Sequence, residues 1–108
     1  MKIIVTLFAA IAVATFAAGA HAADAKAAEA LAKSSGCLAC HTVDKKLVGP
    51  SYKEIAERYR NDKKAAATLA QKVKAGGKGA WGDIPMPPNA HVKYADIRTL
   101  VQWILSTR

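Results

Sequence analysis

Gly36-Cys37-Leu38-Ala39-Cys40-His41 is the stretch on which the reading of this chain turns. Two thiols three positions apart, followed at once by an imidazole, form the C-x-x-C-H pattern of covalent haem attachment. On one helical turn both sulfurs can reach the two vinyl groups of a single porphyrin, and His41 then lies under the iron as a ligand. A thioredoxin-like redox pair also uses C-x-x-C. That reading needs a βαβ setting, no strand pattern surrounds Cys37, and His41 is left without a role. A structural zinc site needs four ligands and is weaker still.

A closed electron-transfer iron needs a second axial ligand. Beyond residue 22 the chain has one methionine, in Ile84-Pro85-Met86-Pro87-Pro88-Asn89. A lone methionine is ordinarily core filling, but flanking prolines fix φ and stiffen the segment, so a thioether could be held at the iron with little ordering cost. Histidine–methionine ligation is an established haem arrangement, and the soft sulfur raises the reduction potential relative to two histidines. His91 is the rival ligand. Imidazole binds iron well, although its place beside the last helix suits an exposed residue equally.

Around these motifs the chain is short and basic. It has 108 residues, consistent with one domain. Met1-Lys2 precedes an almost unbroken apolar run from Ile3 to Ala18, followed by Ala20-His21-Ala22. A positive start, an apolar run and a small-x-small end describe a secretory signal peptide. Residues 1–22 are therefore expected to be cleaved, leaving one domain over 23–108 in the periplasm. The run is short for an uncleaved span, which needs about 20 apolar residues. Cleavage removes only Lys2 among the charges, so 15 basic and 8 acidic residues give the mature chain a net charge of +7. Such a protein is steered to acidic surfaces. The lysines are scattered along helices, and no recognition motif or aromatic platform supports nucleic-acid binding. Eighty-six residues bury little apolar surface, and a Cys37–Cys40 disulfide would close too short a loop to help much. A cofactor completing the core is the natural remedy.

The pattern is all-α, with four to five short helices around one haem. Ala23–Ser35 is alanine-rich, with Asp24 as cap, Ala27, Ala28 and Leu31 as apolar stripe and Gly36 as stop. Ser51-Tyr52-Lys53-Glu54 matches a capping box opening a helix to about Tyr59, with Tyr52, Ile55, Ala56 and Tyr59 inward. Asp62 is the expected cap of a third helix to Ala75, with Ala66, Leu69, Ala70 and Val73 inward and Gly76-Gly77 ending it. Residues 76–90 read as a long ordered loop or a disordered one. Ile97, Leu100, Val101, Ile104 and Leu105 recur at three- and four-residue steps, predicting a last helix over 93–106.

The chain closely resembles the small bacterial class I cytochromes c of the cytochrome c-551 type. The resemblance spans essentially all of 23–108. It rests on Gly36-Cys37-x-x-Cys40-His41, Val48-Gly49-Pro50-x-Tyr52-Lys53, Trp81-Gly82-x-Ile84-Pro85-Met86-Pro87-Pro88-Asn89-Ala90 and Trp103-Ile104-Leu105-Ser106. It implies one haem c attached through Cys37 and Cys40. It implies that the Pro50 carbonyl fixes the His41 ring, that Asn89 bonds near the Met86 sulfur, and that the Trp81 indole N–H meets a haem propionate. Simple packing is the competing role for Trp81, and Trp103 is read as core between the first and last helices. Where some relatives carry an arginine near a propionate, this chain has Lys72, which lacks the planar fork.

The implied function is a monomeric, soluble one-electron carrier, not an enzyme. It would run between a membrane oxidoreductase and a terminal reductase or oxidase, and dock on acidic faces of redox partners through an apolar patch ringed by lysines. The alternatives are a haem enzyme or gas-binding haem protein with a labile sixth ligand, and a haem-free thiol–disulfide module.

Overall fold

The computed structural model describes residues 11–13 and 20–108. Most of the expected signal segment lies outside those residues. Four α-helices occur among them: α1 (Ala20–Ser34), α2 (Tyr52–Arg58), α3 (Ala65–Ala75) and α4 (Tyr94–Ser106). A single 3-10 turn, Cys37–Ala39, carries the cysteine motif. The described residues form no strand; Gly77 and Met86 make one isolated antiparallel bridge. The all-α expectation therefore holds. No helix among the described residues is long and apolar enough to cross a membrane.

Helix starts follow local chemistry, and two differ from expectation. The α2 capping box forms: Glu54 N donates to Ser51 Oγ at 3.1 Å and Ser51 N to Glu54 Oε2 at 2.8 Å. Asp24 is not a cap. It lies inside α1, because Ala20-His21-Ala22 continue a breaker-free, alanine-rich run that favours helix. Asp62 does not cap α3 either. Its Oδ1 accepts from Lys64 N at 2.8 Å, closing a tight turn, and the helix begins after it with Lys64 at the cap position.

Helix α4 is the hub and packs on α1, α2 and α3. Ile97, Leu100 and Val101 point inward, as the periodicity predicts. Ile97 and Val101 form a core cluster with Ala70 and Val92, against which Leu69, Val73 and Leu105 pack. The inward stripes of α1 and α3 differ from expectation. Ala27 and Ala66 are exposed, while Ala28 and Ala32 of α1 and Ala65 and Ala70 of α3 are buried. In alanine-rich helices every face offers a similar side chain, so periodicity fixes the buried stripe only weakly. Trp103 is half-buried and meets Tyr52 of α2 edge-on, with ring centroids 5.3 Å apart. It thus packs toward α2 as well as lying on the helix that touches α1.

Candidate cofactor site

The cysteine motif is built on a tight backbone frame. Cys40 N and His41 N both donate to Cys37 O, at 3.2 and 3.0 Å, and Gly49 N donates to Cys40 O at 2.8 Å. That last bond folds residues 41–48 back and brings Pro50 over the histidine. His41 Nδ1 donates to the Pro50 carbonyl at 2.7 Å, as the resemblance implies. This leaves Nε2 as the ring's free coordinating nitrogen. The other side of the ring stacks on buried Tyr52 at 5.5 Å. Gly49 makes the arrangement possible: a Cβ there would come within 2.5 Å of His41 Cε1. Sequence reading did not single out Gly49 for this. The signal available was its place directly before the proline that holds the ring.

The two thiols are unpaired and half-buried. Burial pushes the Cys37 thiol up, against a smaller lowering from its backbone hydrogen bond. Burial, and secondarily the nearby Cys37, push Tyr52 up as well. The Tyr52 hydroxyl is buried without a partner among the described residues.

A cavity of about 500 Å³ opens beside this frame, within the size range of cofactor sites, about 300–1,000 Å³. Cys40, Gly49 and Pro50 line one wall, and Leu69, Val73 and Val101 carry the hydrophobic core directly onto another. Met86 and Trp81 line it from the 76–90 loop. Of the predicted site residues, Cys40, Pro50, Trp81 and Met86 thus face one space, and His41 borders it through its contact with Gly49. Cys37 and Asn89 are not in its lining, and neither is His91, which is exposed. An apolar cavity with the unpaired Cys40 thiol in its lining and a fixed imidazole at its edge suits a large apolar group that bonds sulfur and presents a metal. A haem attached by thioethers meets all three requirements.

The distal loop is anchored at its ends. Gly77 and Met86 exchange backbone hydrogen bonds of 3.0 and 2.8 Å. Gly76 takes φ +72°, and a Cβ there would stand 2.6 Å from Met86 O and 2.7 Å from Pro88 N. Asn89 donates to Val73 O through both its backbone N (3.1 Å) and its Nδ2 (3.0 Å), and to Pro87 O at 3.3 Å. Its amide therefore ties the loop to α3. A bond from Asn89 to the Met86 sulfur, which the resemblance implies, is not among the hydrogen bonds of the described residues. Lys72 also lines the cavity, with its side chain lying along Gly77. Sequence reading missed Arg58, whose guanidinium lies 4.4 Å over the Trp81 ring and donates to Ala80 O at 2.6 Å.

The cytochrome c family model matches residues 25–108. The chain is similar to cytochrome c-551 of Allochromatium vinosum, 57% identical over 75 residues, or 69% of this chain and 80% of the relative. It is similar to cytochrome c-551 of Azotobacter vinelandii, 53% identical over 78 residues, or 72% of this chain and 94% of the relative. The crystal structure of wild-type Nitrosomonas europaea cytochrome c552 superposes with a TM-score of 0.72 at 49% identity, covering 74% of this chain and 99% of that one.

Proposed function

This chain belongs to the cytochrome c family, in its c-551 type, and on that premise we propose that it is a periplasmic carrier whose iron is held by His41 and Met86. One covalently attached haem c, and one-electron transfer rather than enzymatic turnover, come with the family. When bound, that group supplies an Fe(III)/Fe(II) couple.

The protein's part is to hold, tune and present it. Cys37 and Cys40 provide the tethering sulfurs. Pro50 fixes the His41 tautomer and raises the basicity of the ring. Met86 supplies a thioether from a stiff loop, and so favours the reduced iron. Trp81 would offer its indole N–H to a propionate. The observation that carries this reading is the 2.7 Å bond that leaves His41 Nε2 free within the cysteine motif, beside a cavity that Cys40 and Met86 both line.

Val48 and Ile84 are exposed around that cavity, with Lys46 and Lys78 beside it. Three lysines (Lys46, Lys72 and Lys78) against Glu54 and Asp83 leave this apolar rim net positive, and with the basic chain as a whole it suits brief encounters with acidic redox partners. The membrane oxidoreductase and the terminal reductase or oxidase of the cell envelope are the partners proposed. Cleavage after Ala22 delivers residues 23–108 to that compartment as a monomer.

The test is purification from the periplasm. The expected product starts at Ala23 and carries the mass of one haem that acidified organic solvent does not extract. Its pyridine haemochrome spectrum should be of the c type, and the ferric protein should show the weak red-end band of an iron–sulfur bond. Extractable pigment, or a ferric spectrum without that band, would overturn the ligand assignment; a retained Met1 would overturn the export assignment.

A further inference from the structure

Trp81 stands at the cavity rim with 40% of its surface exposed, so core packing does not fix its pose. What touches it is Arg58, from the last turn of α2 and 23 positions earlier in the chain. The Arg58 guanidinium lies 4.4 Å from the Trp81 ring centroid and 5.8 Å from that of Tyr59. Both rings line the cavity, while Arg58 does not. Its Nη1 also donates to the carbonyl of Ala80, the residue just before the tryptophan, at 2.6 Å. Stacking on the ring and bonding to the adjacent carbonyl together fix both the plane of the indole and the backbone that carries it. Only a planar, multidentate cation can do both at once. The acidic residues close by do not take the guanidinium: Glu57 pairs with Arg60, and Glu54 is engaged by Ser51.

We propose that Arg58 is a positioning residue, which sets the pose of Trp81 at the cavity rim and through it the reduction potential of the iron. This rests on the reading that Trp81 donates to a haem propionate. An indole displaced from that anion leaves its negative charge less compensated, and uncompensated negative charge favours Fe(III).

The test uses the holoprotein and three substitutions, Arg58→Leu, Arg58→Lys and Trp81→Phe, with the Arg58→Leu/Trp81→Phe double variant. Two readouts are taken: the indole ¹H–¹⁵N resonance of Trp81 in the reduced protein, and the midpoint potential from a redox titration. In Arg58→Leu the indole resonance should move. The Fe(II)/Fe(III) ratio at fixed potential should fall about threefold, or ~30 mV at 59 mV per tenfold for one electron. Arg58→Lys keeps the charge and loses the fork, so it should still move the indole and lower the midpoint by a smaller step. The double variant should match Trp81→Phe alone. Full restoration by lysine would overturn the proposal in favour of a bare charge effect, as would an unmoved indole in Arg58→Leu or fully additive midpoints. If Trp81→Phe keeps the wild-type midpoint, the propionate reading of Trp81 fails and transmission to the iron fails with it. A moved indole in Arg58→Leu would then mark the fault as lying in that reading and not in the tether.

Discussion

The cavity is flanked by two loops, and they are held in opposite ways. Residues 37–50 belong to the packed fold. Cys40 O accepts from Gly49, Thr42 O from Tyr52 and Val43 O from Lys53, so the loop is laced both to itself and to the start of α2. Its histidine is clamped between the Pro50 carbonyl and the buried Tyr52 ring. Residues 76–90 are presented by the fold instead. Trp81 through Pro85 are all exposed, three prolines remove backbone donors, and a few separate bonds hold the segment, at Gly77–Met86, Gly79–Gly82, Arg58–Ala80 and Asn89–Val73. The imidazole side is thus built into the packed fold, and the methionine side is presented on a stiff, exposed loop.

Deleting the proposed ligand on each side should separate the two roles most sharply. His41→Ala is expected to abolish covalent holoprotein, measured as haem stain on denaturing gels of periplasmic extract. Met86→Ala is expected to keep the covalent haem. It should lose the ferric red-end band, and its midpoint should fall as the soft ligand is withdrawn. If His41→Ala matures normally while Met86→Ala does not, the assignment of prebuilt and presented sides is reversed.

The two glycines are a finer probe. Gly76→Ala meets backbone atoms that cannot yield, at Met86 O and Pro88 N, and forces alanine to φ +72°. Overpacking and left-handed strain, each of order 1–3 kcal/mol, should act together. The expected result is lower denaturation stability and a weakened iron–sulfur band. Gly49→Ala presses on the edge of the His41 ring and should cost about 1–3 kcal/mol, with the red-end band retained. Equal losses of that band in both variants would erase the distinction between the loops.

How far the sequence reads ahead follows the range of the interaction. The 3-10 turn carrying the cysteines, the Ser51/Glu54 box, the Gly76 stop and the α4 stripe all depend on residues within a few positions of one another, and all are where the pattern puts them. Asp62 differs from expectation because an acidic residue before a helical run fits a cap and a preceding turn equally well, and Asp24 because the helix-favouring residues continue on its N-terminal side to Ala20. The pairing of His41 with Pro50 came from resemblance, since nothing within the segment dictates that a proline carbonyl nine residues on should face the ring. Arg58 on Trp81 and Asn89 on Val73 are tertiary contacts between elements, the role of Gly49 is a close approach within its own loop, and no periodicity records any of them.

The smallest expected effect lies at the junction where the first loop becomes α2. The backbone N–H and the side chain of Ser51 stabilise the Glu54 carboxylate, with a lesser contribution from Lys46, and hold the group below its ordinary range. A depressed folded-state value means that the unfolded chain takes up the proton first. The contribution of Glu54 is therefore complete above the unfolded value, about 4.3, and is lost as pH falls through the lower folded one. Since the carboxylate is fully exposed, the effect is modest and is best read as a difference. Urea midpoints of wild type and Glu54→Ala, measured from neutral pH into this acid window, should converge as the pH falls, because protonation removes from the wild type what the substitution has already removed. Parallel curves would mean that the carboxylate contributes through its neutral hydrogen bonds alone. The first loop would then be held by backbone geometry, with no electrostatic share at its exit.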